Sequence, residues 1–276
     1  MGVEWSLVDV LSDLLGAITR RSVDVVRDPL SLVLGSVAAM LLGLAFGSFV
    51  TLVTYRLPRG EPIFRGRSRC PSCAAALGPR DLVPVLSWLA HRGRCRRCGA
   101  PVSVRYPTME LVLAVLFVVV YLRVGATLPG LLLAALAVGL VTLSVIDLEV
   151  GIIPDRVLLV LAPLGLAYQL AIGHVLVALA GAVLAGGLAY GLRVAFLRLR
   201  GRDALGLGDV KFFATAGLWL GPASLPAFLI VSGLGGIGFA RLWRRLGGGR
   251  EFPFAPALAL GLFLCLLFPS LSQPSF

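Results

Sequence analysis

Charged residues are scarce in this chain, at 14% of 276, where a soluble domain carries about a quarter. That scarcity excludes an ordinary soluble enzyme. Histidine is scarcer still, with only His91 and His174. No HExxH helix and no GxSxG elbow occurs, which leaves zinc-protease and serine-triad chemistry without their residues. The first 30 residues lack a basic start and a sustained apolar run, and they carry Glu4, Asp9, Asp13, Asp24 and Asp28. A cleavable signal peptide is not expected there. What the chain has in abundance is apolar surface: 58% hydrophobic residues, 33 glycines and a mean hydropathy of +0.94. With roughly 20 apolar residues to a span, that composition predicts an all-α polytopic membrane protein.

The apolar runs set the organisation. Residues 1–29 place Val3, Leu7, Val10, Leu11, Leu14, Leu15 and Ile18 at three- and four-residue steps, with Trp5 near the start. This is the pattern of an amphipathic segment lying on a membrane surface, with a mobile tail as the other reading. A first span is predicted over 30–55 and a polar segment over 56–107. Further spans follow near 108–122, 126–146, 157–172, 174–197, 210–221, 222–240 and 252–268, all within a membrane domain of 108–270. The expectation is eight transmembrane helices. The sixth run is short and glycine-rich and the eighth carries Pro253 and Pro256, so seven spans is the alternative.

Basic residues orient the bundle, because cytoplasmic loops collect Lys and Arg. With the N-terminus outside, 21 of the 25 basic residues fall on the cytoplasmic side, 11 of them between Arg56 and Arg105. The reverse orientation inverts that ratio. A positive-inside bias therefore accounts for the formal charge of +11 without a nucleic-acid partner.

The polar segment 56–107 holds four of the five cysteines, as Cys70-Pro-Ser-Cys73 and Cys95-Arg-Arg-Cys98, separated by 21 residues. Two CxxC knuckles at this distance predict a tetrahedral zinc site in a small ribbon-like insert between the first two spans. Disulfides are the rival reading, which a reducing cytoplasm disfavours. Four thiolates leave no open coordination position, so the zinc is expected to be structural. The surrounding arginines suit either anionic headgroups or plain solvent. Cys265 stands alone in an apolar run and reads as packing.

Carboxylates at the edge of hydrocarbon are costly and so become functional candidates. Asp147 ends the 126–146 run with Glu149 and Asp155 after it, Glu110 opens the second span, and Asp209 follows Gly206-Leu207-Gly208. In the eight-span topology Asp147 and Asp209 share the cytoplasmic face. Two carboxyls held close share a proton, one acting as base toward water while the other polarises a carbonyl, which suits peptide hydrolysis. The glycines at 206 and 208 are expected to let a substrate strand come close. Bland readings stay open for both acids: a helix N-cap for Asp209 and a span terminus for Asp147. Small residues four apart, Gly43 with Gly47 and Gly187 with Gly191, are expected at close helix crossings.

Six ordered blocks between about Gly43 and Leu260 carry a resemblance. They are Gly47-Ser48-Phe49 with Tyr55-Arg56-Leu57-Pro58; the tetracysteine segment with Pro84-Val85-Leu86-Ser87-Trp88-Leu89; Arg105-Tyr106-Pro107 before Glu110-Leu111; Ile146-Asp147 with Ile153-Pro154-Asp155; Gly206-Leu207-Gly208-Asp209-Val210-Lys211; and Phe252-Pro253-Phe254. In these the sequence resembles the prepilin peptidases, the type IV leader peptidase family of membrane aspartic proteases. The resemblance implies that Asp147 and Asp209 are the catalytic pair. It also implies that the substrates are prepilins or pseudopilins, whose basic leader is cut after a glycine at the cytoplasmic face of the inner membrane. N-methylation of the new terminus from S-adenosylmethionine is implied too, in the first cytoplasmic domain. Thr51, Arg94 and Ala255 depart from the common pattern, where Asn, Lys and Gly are usual. The intact acidic motifs favour a protease over a non-enzymatic scaffold of a pilus or type II secretion machine, and over an ion-coupled transporter.

Overall fold

The computed structural model describes residues 28–201, 205–247 and 252–269. The surface segment expected over 1–29 lies outside the described residues, apart from Asp28 and Pro29. Those two start the first helix: Asp28 Oδ2 accepts the Ser31 N–H at 3.0 Å, and Pro29 takes the first helical position, where its missing N–H costs nothing.

Eight long helices follow in order among the described residues: α1 (Pro29–Arg56), α2 (Arg105–Val124), α3 (Leu128–Val150), α4 (Asp155–Ala171), α5 (Val175–Arg200), α6 (Leu207–Leu220), α7 (Leu225–Arg245) and α8 (Ala255–Leu267). Each coincides with one of the apolar runs. Five helical stretches, those of α1, α2, α3, α5 and α7, are long and apolar enough to cross a membrane. With 14 and 13 residues, α6 and α8 rise only about 20 Å at 1.5 Å per residue, short of a hydrocarbon core of about 30 Å. The chain is thus a multi-pass, nearly all-helical protein whose later helices are uneven in length.

Packing sets α3 at the centre, against α1, α2, α4 and α8. Its buried stripe, Leu133, Leu136, Ala137, Leu140 and Leu143, recurs at three- and four-residue steps and feeds one continuous apolar core. Lipid is as apolar as leucine, so these helices are held by close packing and polar glue. A Cβ at Gly43 would stand 2.6 Å from the Ala114 Cα, and one at Gly47 would strike the Glu110 backbone, so α1 and α2 touch main chain to main chain. The second glycine pair differs from expectation. Nothing lies within 4 Å of a Cβ at Gly187 or Gly191, and α5 instead meets α6 where Gly181 and Gly217 each face the other's backbone. Trp219 locks α6 to α4: its Nε1 donates to the Leu161 carbonyl at 3.0 Å, and its own carbonyl accepts from Gln169 Nε2 at 2.5 Å. The outer faces of α1, α5 and α7 carry exposed leucines, valines and isoleucines, as a lipid-facing surface requires.

Between α1 and α2 lies the cysteine insert. It has no strand ladder. Each knuckle is closed by a single antiparallel bridge, Arg69 with Ala76 and Arg94 with Pro101, and two short helical turns, Pro79–Leu82 and Leu86–Ala90, lie between them.

Candidate active site and metal centre

Asp147 sits in the last turn of α3 and is buried to 8% exposure. Its Oδ2 accepts the Ala255 N–H at 2.8 Å, which joins the end of α3 to the first residue of α8. Asp209 is the third residue of α6, and its Oδ2 accepts the Gly206 N–H at 3.2 Å. Asp209 is therefore not the N-cap considered for it, a position that Gly206 takes, but the residue three positions on that bonds back to the N-cap N–H as in a capping box. Both acids line one open pocket of about 580 Å³. Glu149, Trp243 and Phe252-Pro253-Phe254 form other parts of its wall.

Gly206 and Gly208 both line this pocket, and each also allows a close approach within the protein. A Cβ at Gly208 would lie 3.0 Å from the Ile153 Cβ, and one at Gly206 would lie 3.1 Å from Asp209 Oδ2. These glycines thus let the α3–α4 turn and the Asp209 carboxylate close in. Next to them Lys211 Nζ pairs with both oxygens of Asp155 at 2.7 and 2.8 Å, tying the starts of α4 and α6. The remaining acids serve as anchors. Glu149 pairs with Arg105 Nε at 2.7 Å, and Arg105 Nη2 also donates to Thr54 Oγ1 at 2.6 Å, so one guanidinium joins α1, α2 and α3 beneath the insert. Glu110, buried in α2, accepts the Val85 N–H at 2.7 Å and holds that β-branched residue at φ 59. His91 lies 3.9 Å from Asp81 in the insert, and His174 caps α5 on an exposed edge.

The four cysteines of the insert come together, their Sγ atoms all within 4.8 Å of one another. A tetrahedral zinc at about 2.3 Å from each sulfur separates the sulfurs by about 3.8 Å, and Cys70 Sγ and Cys98 Sγ stand 3.9 Å apart. The knuckles are built alike: Cys70 N–H donates to Ala75 O and Cys95 N–H to Ala100 O, and the residues after each second cysteine, Ala74 and Gly99, are left-handed at φ 55 and 71. Electrostatics point the same way. The Cys73 and Ser72 N–H groups hold the Cys70 thiol down at about 6. At Cys98 the Ala100 N–H pulls downward, but desolvation and the three neighbouring thiols push it up to about 11. Four thiols this close cannot all ionise unaided, and a divalent cation removes that conflict. The geometry fits a metal.

Residues 41–124 match the bacterial peptidase A24 N-terminal domain, and residues 134–241 match the type IV leader peptidase family. A prepilin leader peptidase/N-methyltransferase of Dickeya chrysanthemi is 38% identical, covering 83% of this chain and 93% of its own length. Proteins of the same name from Aeromonas hydrophila and Neisseria gonorrhoeae are 36% and 35% identical, covering 82% and 80% of this chain and 88% and 86% of theirs. The chain belongs to the type IV leader peptidase family. No solved structure matches it. Within the leader peptidase match lie Asp147 and Asp209, and within the A24 N-terminal match lie all four clustered cysteines. Outside both falls the Phe252-Pro253-Phe254 block, although it lines the Asp147–Asp209 pocket and leads straight into the Ala255 N–H. Ala255 stood out in the sequence only as a departure from the family pattern and not as a partner of Asp147, and Trp243, on the pocket wall, did not stand out at all. The block before Ala255 was a signal for the first; an isolated tryptophan at a helix end gave none for the second.

Proposed function

We propose that the protein is a membrane aspartic endopeptidase that removes the leader of type IV prepilins or pseudopilins at the cytoplasmic face, and N-methylates the new terminus. The observation that carries this reading is the shared pocket of Asp147 and Asp209, in a chain whose relatives bear both activities in their names. One carboxylate takes a proton from the attacking water. The other, protonated, donates to the scissile carbonyl as it becomes an oxyanion, and the proton then passes to the leaving amine. The hydrogen bonds from Ala255 and Gly206 orient the two carboxylates.

The topology that goes with this chemistry is eight spans with the N-terminus outside, so that the α3–α4 turn, the start of α6 and the insert share the cytoplasmic side with most of the arginines. The short α6 and α8 fit such a bundle because neither faces lipid alone: α6 lies against α4 and α5, and α8 against α3 and α7. Residues 56–107 form the tetracysteine unit and 108–270 the protease unit. Cys70, Cys73, Cys95 and Cys98 would hold a structural zinc, which supplies folding energy to the insert. S-adenosylmethionine would be the methyl donor.

The test uses the full chain in detergent with a peptide carrying a basic leader and Gly before Phe, with and without S-adenosylmethionine, read by mass. Cleavage after Gly in both samples, and methylation only with the donor, is expected. Failure to cleave refutes the peptidase reading, and cleavage without methylation removes the second activity alone.

A further inference from the structure

The insert between α1 and α2 does not stand clear of the helix ends. After α1 stops at Arg56, Gly60 turns left-handed at φ 68 and the chain reverses. Arg56 Nη1 then donates to the carbonyls of Pro62, Ile63 and Arg65, at 3.0, 3.2 and 2.9 Å, which ties the returning chain to the helix it has just left. The Phe64 ring reaches further. It stacks on Phe49 with centroids 6.3 Å apart, and Phe49 lies seven residues before Arg56, about 10 Å back along α1 at 1.5 Å per residue. Elsewhere in the insert the Val85 N–H is held by Glu110, in the second turn of α2 rather than at its start.

Both points of descent carry bare apolar side chains. Phe64 is 89% exposed, and Leu86 and Leu89, which follow Val85 on the short helix Leu86–Ala90, are 65% and 57% exposed. Three residues apart, the two leucines share a helix face. Trp88, between them, donates inward to the Val102 carbonyl. The α1 surface under Phe64 is bare as well: Leu42 and Phe46, seven and three residues before Phe49, are exposed and continue its face toward the middle of the span. Phe64 therefore prolongs a lipid-facing surface.

The charges fit the same partner. Arg65 and Arg67, on either side of Gly66, follow Phe64 and are exposed, and residues 56–107 hold 11 basic residues against two acids, Glu61 and Asp81. Guanidinium groups pair with phosphate oxygens, and apolar side chains with arginines beside them are the makings of an interfacial element. An acidic protein could meet the arginines, but it has no access to a ring lying about 10 Å down the outer face of a membrane-spanning helix.

We propose that the insert rests on the anionic surface of the bilayer, with Phe64, Leu86 and Leu89 in the boundary between headgroups and acyl chains, and Arg65 and Arg67 on lipid phosphates. This requires α1 and α2 to span the membrane, and nothing of the leader-peptidase chemistry.

The full chain in lipid nanodiscs supplies the test. Benzoylphenylalanine, a photo-crosslinker, is placed at position 64 or 86 in the insert, or at position 42 as a lipid-facing reference. On illumination positions 64 and 86 should give phospholipid adducts, read by mass, at a yield within about threefold of position 42. No lipid adduct at 64 and 86 where position 42 gives one, or adducts to a second copy of the chain in their place, would overturn the proposal. Trypsin acting on the unmodified protein keeps the test open should a variant fail to insert. Cleavage after Arg65 and Arg67, scaled to that of an added soluble peptide, should be about tenfold slower in nanodiscs containing phosphatidylglycerol than in phosphatidylcholine alone, and high salt should shrink the difference. Equal rates in the two lipids would overturn the phosphate contacts and the proposal with them. Neither readout involves a prepilin peptide, so a protein that cleaves none would refute the leader-peptidase reading alone.

Discussion

Replacing either pocket carboxylate by its amide separates chemistry from architecture. In Asp209→Asn the amide oxygen can still accept the Gly206 N–H, and in Asp147→Asn it can still accept from Ala255. Each variant loses only the charge assistance of one hydrogen bond, about 1 kcal/mol, and both should insert and melt near the parent. Asp209→Ala, by contrast, loses the capping bond, at about 1 kcal/mol, and should melt lower. Activity should fall far more steeply. Neither carboxyl can be spared when two share one proton, so each amide variant should cleave at least about 1,000-fold more slowly, roughly 4 kcal/mol in barrier. The double variant decides the matter. Independent roles would multiply to about a millionfold, whereas a pair acting as a unit leaves the double variant no worse than the worse single one. Mass-resolved cleavage of a leader peptide, with melting followed in the same detergent, is the assay. Cleavage by either amide variant within about tenfold of the parent would refute the shared-proton mechanism.

Elemental analysis of protein purified without chelator should find one zinc per chain, and less than about 0.2 would contradict the closed tetrathiolate site. Cys70→Ser with Cys73→Ser removes two ligands and should disorder the insert, so the two-product mass assay should show methyl transfer abolished and cleavage slowed but present. Loss of both activities from an inserted, stable protein would make the insert part of the protease site. The helix crossing gives a contrast within α5: Gly181→Ala drives a methyl into the α6 backbone and should cost about 1–3 kcal/mol, whereas Gly187→Ala meets nothing and should be neutral or stabilise by up to about 1 kcal/mol. Thermal unfolding in detergent measures both, and equal shifts would refute the packing assigned to this pair.

The helices were legible because an apolar run must be hidden or face lipid wherever the chain goes, and every long helix lies on such a run. Which runs are long enough to span alone was less legible: α6 ends at Gly221, where φ turns positive, and α8 begins only after the Phe252-Pro253-Phe254 block. The cysteine cluster was readable because its metal-ligand spacing is local within each knuckle. Glycine spacing was not enough. Gly43-Gly47 and Gly187-Gly191 look the same in sequence, but spacing says that two residues share a face and not which neighbour that face meets. Likewise the close contact of Gly208 with Ile153 was not readable, because the two are 55 positions apart and only the folded chain brings them near. Asp147 and Asp209 stood out as costly charges. The backbone N–H that holds Asp147 did not, because every residue but proline has one.

The bond between Asp147 and Ala255 spans 108 residues of chain, and this orders events in time. At about 5–20 residues per second, the ribosome delivers Asp147 roughly 5–20 s before its partner. Until α8 slots between α3 and α7, the carboxylate has no donor to fix its rotamer, and the Phe252-Pro253-Phe254 side of the pocket does not exist. With Asp147 in its proposed catalytic role, proteolytic competence arrives late in biogenesis, after the scaffold that must hold a substrate has been laid down. On that role, a chain ending before residue 252 is expected to insert and to cut no substrate.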